Sequence, residues 1–235
     1  MDLKIETKTA VMIEPRRHKA IKFVLENFLE CLDESWSIIV VIGNSNYEYV
    51  QNITKSINSN RIKIINMNLP NLNALTYSRL LMTPAFYNIV PTEIFMIFQT
   101  DSMINKNNKH LLDQFLKYDY VGAPWYFGGV GNGGLSLRKK SKMLEVIHQY
   151  GLKNCHEDVY FANYPGLYKP DFETAKQFAI ETVFHESSFG VHNCWGHLPN
   201  KVEYFKQTIP GFQKLMELQC VEDTQYQNNL HMSFT

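Results

Sequence analysis

Cysteine is scarce and scattered. The four in 235 residues, Cys31, Cys155, Cys194 and Cys220, are far apart and form no Cys-x-x-Cys pair. That spacing excludes a disulfide framework and a structural zinc knuckle, and reduced thiols in a reducing compartment are expected. Net charge is missing too, with 23 Lys plus Arg against 23 Asp plus Glu. Proteins that ride on nucleic-acid phosphates or anionic membranes carry a positive excess, so neither partner is expected. Apolar runs such as Ser37 to Gly43 fall far short of the ~20 residues of a membrane helix. The opening residues, MDLKIETKTA, have no apolar core of a secretion signal. A soluble, cytoplasmic protein is expected, with the sequon Asn52-Ile53-Thr54 a coincidence. Repeats, low-complexity blocks and obvious linkers are absent as well, which predicts one domain over residues 1–235.

What remains is a globular composition, 45% hydrophobic and 20% charged. Aromatics reach 13%, mainly 15 Phe and 13 Tyr, a surplus that suits either a dense core or stacking on sugars and bases. Ala10 to Ile13 reads as a short strand before Glu14-Pro15-Arg16. Ile21, Val24, Leu25, Phe28, Leu29 and Leu32 recur at helical spacing within 17–32. Ser37 to Ile42, Arg61 to Asn66 and Glu93 to Phe98 read as further strands. Leu75 to Asn88 reads as a helix that Pro84 kinks or divides. Continuous apolar strands alternating with helices predict an α/β fold, with a largely parallel sheet covered on both faces. Further on, Lys109 to Tyr118 and Ser141 to Tyr150 read as helices. Tyr120 to Trp125 reads as an extended segment that Pro124 keeps from a central position. A glycine cluster, Gly128 to Gly134, feeds the strand Leu135 to Leu137. One amphipathic helix follows Pro199, and Val221 to Thr235 reads as a flexible tail.

Four fragments carry chemistry. Gln99-Thr100-Asp101-Ser102 leaves the most hydrophobic strand, where α/β proteins bind ligands; an Asp there more often starts a loop or caps a helix. Gly133-Gly134 lets backbone approach a ligand, although glycines also simply make turns. Glu157 and Asp158 sit at a helix start, where the helix dipole ordinarily stabilises acids. His192 lies between a glycine and Trp195, and a lone His is more often structural than a ligand. Each fragment alone is weak; their order is informative.

That order resembles the GT-A glycosyltransferases. More closely, it is similar to an uncharacterised glycosyltransferase-like domain family that also occurs in large DNA viruses. The matching stretches are Tyr77 to Leu81, Ile97 to Ser102, Tyr118 to Trp125, Gly131 to Arg138, His156 to Phe161 and Phe189 to His192. The resemblance implies a GT-A-like fold, with a nucleotide-binding half at about 10–102 and a donor- and acceptor-side half at about 103–200. It implies a metal-dependent, inverting transfer of sugar from a nucleotide sugar, a UDP-sugar first of all, to a glycan, peptide or other hydroxyl acceptor. Asp101 and His192 would hold Mn²⁺ or Mg²⁺. The Asp-x-Asp motif of such enzymes is here Gln99-Thr100-Asp101, so its first acid is missing. Glu14, Arg16, Arg79, Thr100, Ser102, Asn132, Gly133 and Gly134 would bind the donor. Asp158 would be the catalytic base beside Glu157, and Trp125, Tyr126 and Trp195 would stack on the acceptor. Two other readings stay open: a non-catalytic nucleotide- or glycan-binding relic of the fold, and a metal-dependent phosphoesterase.

Overall fold

A run of β-branched residues cannot relax into a helix without losing side-chain freedom, and when it is apolar throughout it belongs inside a sheet. Trp36–Ile42 (β2) is such a run, and it pairs in parallel with Lys8–Ile13 (β1) and Ile62–Asn66 (β3). Ile94–Phe98 (β4) pairs in parallel with the other edge of β1. These bounds come from a computed structural model that describes residues 7–221. Leu135–Lys139 (β7) then runs antiparallel to β4, and Tyr120–Gly122 (β6) closes the sheet, giving the order β3-β2-β1-β4-β7-β6. The α/β class and the four parallel strands are as expected. Pro124, just past β6, is accommodated because β6 is an edge strand.

Side chains alternate across this sheet as the pleat requires. Ala10, Met12, Ile38, Val40, Met96 and Phe98 enter one core, and Val11, Ile13, Ile39, Val41, Phe95 and Ile97 enter the other. Helix Ile21–Cys31 (α1) covers the first face, where Phe28 stacks on Phe98 with ring centroids 3.8 Å apart. Ala74–Leu81 (α3), Pro84–Tyr87 (α4) and Lys140–Tyr150 (α5) lie over the second. Between β2 and β3 runs a helix absent from the sequence reading, Tyr47–Ile57 (α2); Tyr49, Val50, Ile53 and Ile57 recur along one narrow face and pack on the first core, with only Val50 fully buried. Pro84 does divide its helix in two.

The second half departs further from expectation. Lys106–Phe115 is a 3₁₀ helix rather than an α-helix. Ser102–Ile104 (β5), Ala179–Ile180 (β8) and Gly190–His192 (β9) form a separate sheet in the order β5-β9-β8. Glu157–Ala162 (α6) starts where the acids predicted, and Phe172–Phe178 (α7) is additional. After Pro199 come Val202–Thr208 (α9) and Phe212–Glu217 (α10), not one helix, because Pro210 and Gly211 interrupt it. Cys194–His197 (α8) is a single turn. Val221, expected to begin a flexible tail, bridges to His18 instead; the rest of that expectation lies outside the described residues. No helix among the described residues is long and apolar enough to cross a membrane.

Candidate active site

In the order 3-2-1-4, the chain turns from one side of β1 to the other, so the strand ends of β1 and β4 open a crevice at the switch point. A cleft of about 300 Å³ occupies that place. Glu14 and Arg16 line it from the end of β1, Thr100 and Asp101 from the end of β4, and Asn132 to Gly134 from the approach to β7. Glu157 and Asp158 at the α6 start and His192 at the end of β9 complete the wall. Residues scattered from 14 to 192 thus converge on one cavity.

Each wall has a local cause. Glu14 is nearly buried and binds Arg16 through both carboxylate oxygens at 2.7 Å, while the Arg16 backbone N–H also donates to it. The Asn46 amide donates to the carbonyls of Glu14 and Arg16, fixing this turn. The glycines are dictated by their neighbours. A Cβ on Gly134 would lie 2.1 Å from the His192 ring, and one on Gly133 would lie 2.2 Å from Glu157 Oε1. Ser102 is fully buried, and its hydroxyl donates to the Gly134 carbonyl at 3.1 Å, tying the Asp101 turn to the glycine turn.

The two acids of α6 take separate directions. Neighbours on a helix diverge by about 100°. Glu157 turns inward and accepts two bonds from the fully buried Arg138, at 2.8 and 3.0 Å. That guanidinium also lies over the rings of Tyr120 and Phe161, at 5.1 and 5.6 Å. Burial pushes the Glu157 carboxyl up, and Arg138 opposes it. Asp158 stays partly exposed, receiving the Gly133 backbone N–H at 3.4 Å and its neighbour Val159's at 2.7 Å. Arg138 is a residue that sequence reasoning missed; a basic side chain in strand β7 gives no local sign of its burial.

His192 Nε2 lies 3.3 Å from Asp101 Oδ1 and 3.2 Å from Gln99 Oε1. Burial alone would lower the pKa of this imidazole, but Asp101 and Glu181 outweigh it and hold it at about 10. Burial likewise works to raise the Asp101 carboxyl, and His192 brings it below its ordinary value. Asp101 Oδ1 and His192 Nδ1 are buried and, apart from the ionic contacts of Asp101 Oδ1 with Nε2 and of Nδ1 with Glu181 Oε1 at 3.4 Å, have no partner of hydrogen-bond geometry. Asp101 Oδ1 and His192 Nε2 stand side by side on the cleft wall, a carboxylate and an imidazole that could hold a divalent cation once it displaces the ring proton, the other ligands coming from water and phosphate. Among the described residues no three His, Cys, Asp or Glu side chains gather into a complete metal cage.

Other expected site residues lie elsewhere. The Arg79 guanidinium reaches Asn154 at 3.2 Å and does not line the cleft. Trp125 stacks against Phe127 with the planes 8° apart and lines a separate cavity of about 220 Å³. Tyr126 is 77% exposed at the same hairpin tip. Trp195 packs edge-on to Phe212, against the core under α10.

Compared with solved structures, this architecture is that of the GT-A glycosyltransferases. The galactosyltransferase LgtC, in complex with donor and acceptor sugar analogs, is similar with a TM-score of 0.58 at 12% identity, over 94% of this chain and 99% of that chain. The apo form of the glycosyltransferase GlyE from Streptococcus pneumoniae TIGR4 gives 0.52 at 12% identity, over 79% of this chain and 54% of that chain. At these identities the likeness establishes the fold. In sequence, residues 61–192, more than half of the chain, match a family described as protein of unknown function (DUF5672), and the protein belongs to that family. No curated protein matches it.

Proposed function

We propose that the protein is a glycosyltransferase that moves a sugar from a nucleotide sugar, UDP-sugars first, to a hydroxyl of a glycan, peptide or other acceptor, with inversion at the anomeric carbon. The observation that carries this reading is the convergence of Asp101, His192, Gly133, Gly134 and Asp158 on the cleft at the switch point. Glu14 and Arg16 bound the nucleotide end. Asn132 and the backbone of Gly133 and Gly134 lie where a donor sugar would pass between the diphosphate and Asp158. Thr100 shares that wall, and Ser102 supports it from beneath.

Asp158 is the base. Of the two α6 acids it is the one left to the cleft once Glu157 is committed to Arg138, and it takes the acceptor proton as the glycosidic bond forms. Asp101 and His192 would hold Mn²⁺ or Mg²⁺ together with the donor phosphates. Such an ion neutralises the charge that develops on a departing nucleoside diphosphate. Because the described residues offer two ligands and no complete cage, metal and nucleotide should bind together rather than separately. Half-buried Trp125 and exposed Tyr126 form an aromatic tip suited to an acceptor sugar, and Trp195 and Arg79 have no part in the scheme.

Thermal shift with UDP and Mn²⁺, followed by a UDP-release screen over UDP-sugars, tests the reading. UDP plus Mn²⁺ should stabilise the fold, EDTA should abolish the effect, and Asp101→Asn should weaken nucleotide binding more than tenfold. UDP binding untouched by EDTA would remove the metal from the scheme. A second reading, a binding module without turnover, is favoured by Gln99 at the place of the motif's first acid. It predicts the same stabilisation with no UDP release from any donor.

A further inference from the structure

We propose that Glu181 is a positioning residue, which holds the His192 ring in the orientation that presents its Nε2 side to the cleft. The inference rests on the metal half of the reading above. Glu181 does not line that cleft, and it follows a strand of two residues, Ala179–Ile180, that no periodicity could reveal.

The small sheet is what brings it there. β8 runs parallel to β9, with Ala179 opposite Gly190 and Ile180 opposite Val191, so the next step along both strands sets Glu181 beside His192. On the other edge of β9, β5 runs antiparallel with Ser102 opposite His192, and the Asn193 backbone N–H donates to the Asp101 carbonyl at 3.0 Å. Three ionisable side chains, His192 at the end of β9, Asp101 just before β5 and Glu181 just after β8, therefore stand in a row. Asp101 Oδ1 lies 3.3 Å from Nε2, and Glu181 Oε1 lies 3.4 Å from Nδ1.

The imidazole is thus addressed at both nitrogens. A ring whose Nδ1–H faces a carboxylate has its tautomer and its rotation fixed, and its other nitrogen becomes the more basic ligand. Gly134 closes the ring's remaining freedom, since its backbone leaves no room even for a methyl group beside the imidazole. Glu181 is poorly explained as a stabilising residue. Its side chain is 8% exposed, its Oε2 is buried without a hydrogen-bond partner, and among the described residues its one ion-pair partner is His192. A carboxylate buried on those terms costs stability. Its place is accounted for by what it does to the ring.

Mn²⁺ binding in the presence of saturating UDP, read from the free-ion EPR signal, tests this without a transfer assay. Glu181→Ala should weaken Mn²⁺ at least tenfold, in the range of lost outer-shell partners. Glu181→Gln, which keeps an acceptor oxygen but not the charge, should lose three- to tenfold, and metal-free UDP affinity should be unchanged in both. His192→Ala is the control. If the Glu181 variants bind Mn²⁺ as wild type does while His192→Ala does not, the positioning role is wrong and the metal site stands. If all of them bind as wild type does, the metal site is wrong and this inference falls with it. Should Glu181→Ala fail to fold, wild-type affinity in Glu181→Gln overturns the proposal alone.

Discussion

A carboxylate removes a hydroxyl proton only if it is ionised, unspent and facing the acceptor. Of the two adjacent acids at the start of α6, Glu157 gives both oxygens to Arg138, while Asp158, partly exposed on the cleft wall, accepts only the backbone N–H groups of Gly133 and Val159. Asp158→Asn preserves size and much of the local hydrogen bonding. Sugar transfer should therefore fall at least a hundredfold, within the range of ~10²–10⁴ for a positioned base. UDP and Mn²⁺ binding should stay within a few-fold of wild type. Parallel calorimetry and UDP-release assays check both halves, and normal transfer would remove Asp158 from the mechanism. The acids were legible in the sequence as a pair at a helix start. Which of them faces inward was not, because it depends on Arg138, a residue 19 positions earlier on a different element.

At the scale of elements, the join between β7 and α6 is a single buried ion pair held between two rings. Removing one partner of such a pair strands the other's charge, at a cost of ~3–5 kcal/mol. For a chain of this size that corresponds to a loss of about 10 °C or more in Tm. Arg138→Met should show it in a thermal melt, and a Tm within a degree or two of wild type would deny the pair its structural role. The parallel strands were readable from their unbroken apolar runs, since burial on both faces leaves little place for polar residues. The small sheet was not. Strands of two and three residues have no period to detect, and Glu181 pairs with a histidine brought beside it by β-sheet register alone. The helix α2 does carry a period, Tyr49, Val50, Ile53 and Ile57 on one face, but that face is narrow and polar residues fill the rest of the segment.

For the molecule as a whole, the sulfur chemistry is a simple probe of packing. Cys31 and Cys194 are buried in the core, while Cys155 and Cys220 are partly exposed, and all four are free thiols. Burial pushes the Cys31 thiol up to about 11 and raises Cys194 further still. The thiolate is the reactive form, and a raised pKa leaves little of it at pH 8. Iodoacetamide at that pH should label Cys155 and Cys220 in the native protein and all four once it is unfolded. Peptide mass analysis reads the outcome, and native labelling of Cys194 would mean that the floor of the small sheet opens.

One end of the cleft is assembled from both ends of the described chain. Glu14 to His18 forms one side, and at the other the Gln219 amide donates to the Thr100 carbonyl at 2.9 Å while Cys220 and Val221 join Lys19 and His18. A ribosome releases Glu14 about two hundred residues before Gln219. The turn that carries Asp101 gains its last support only when residue 219 has cleared the exit tunnel. A nascent chain, or one terminated before Gln219, can therefore pair its parallel strands while this end of the cleft stays incomplete.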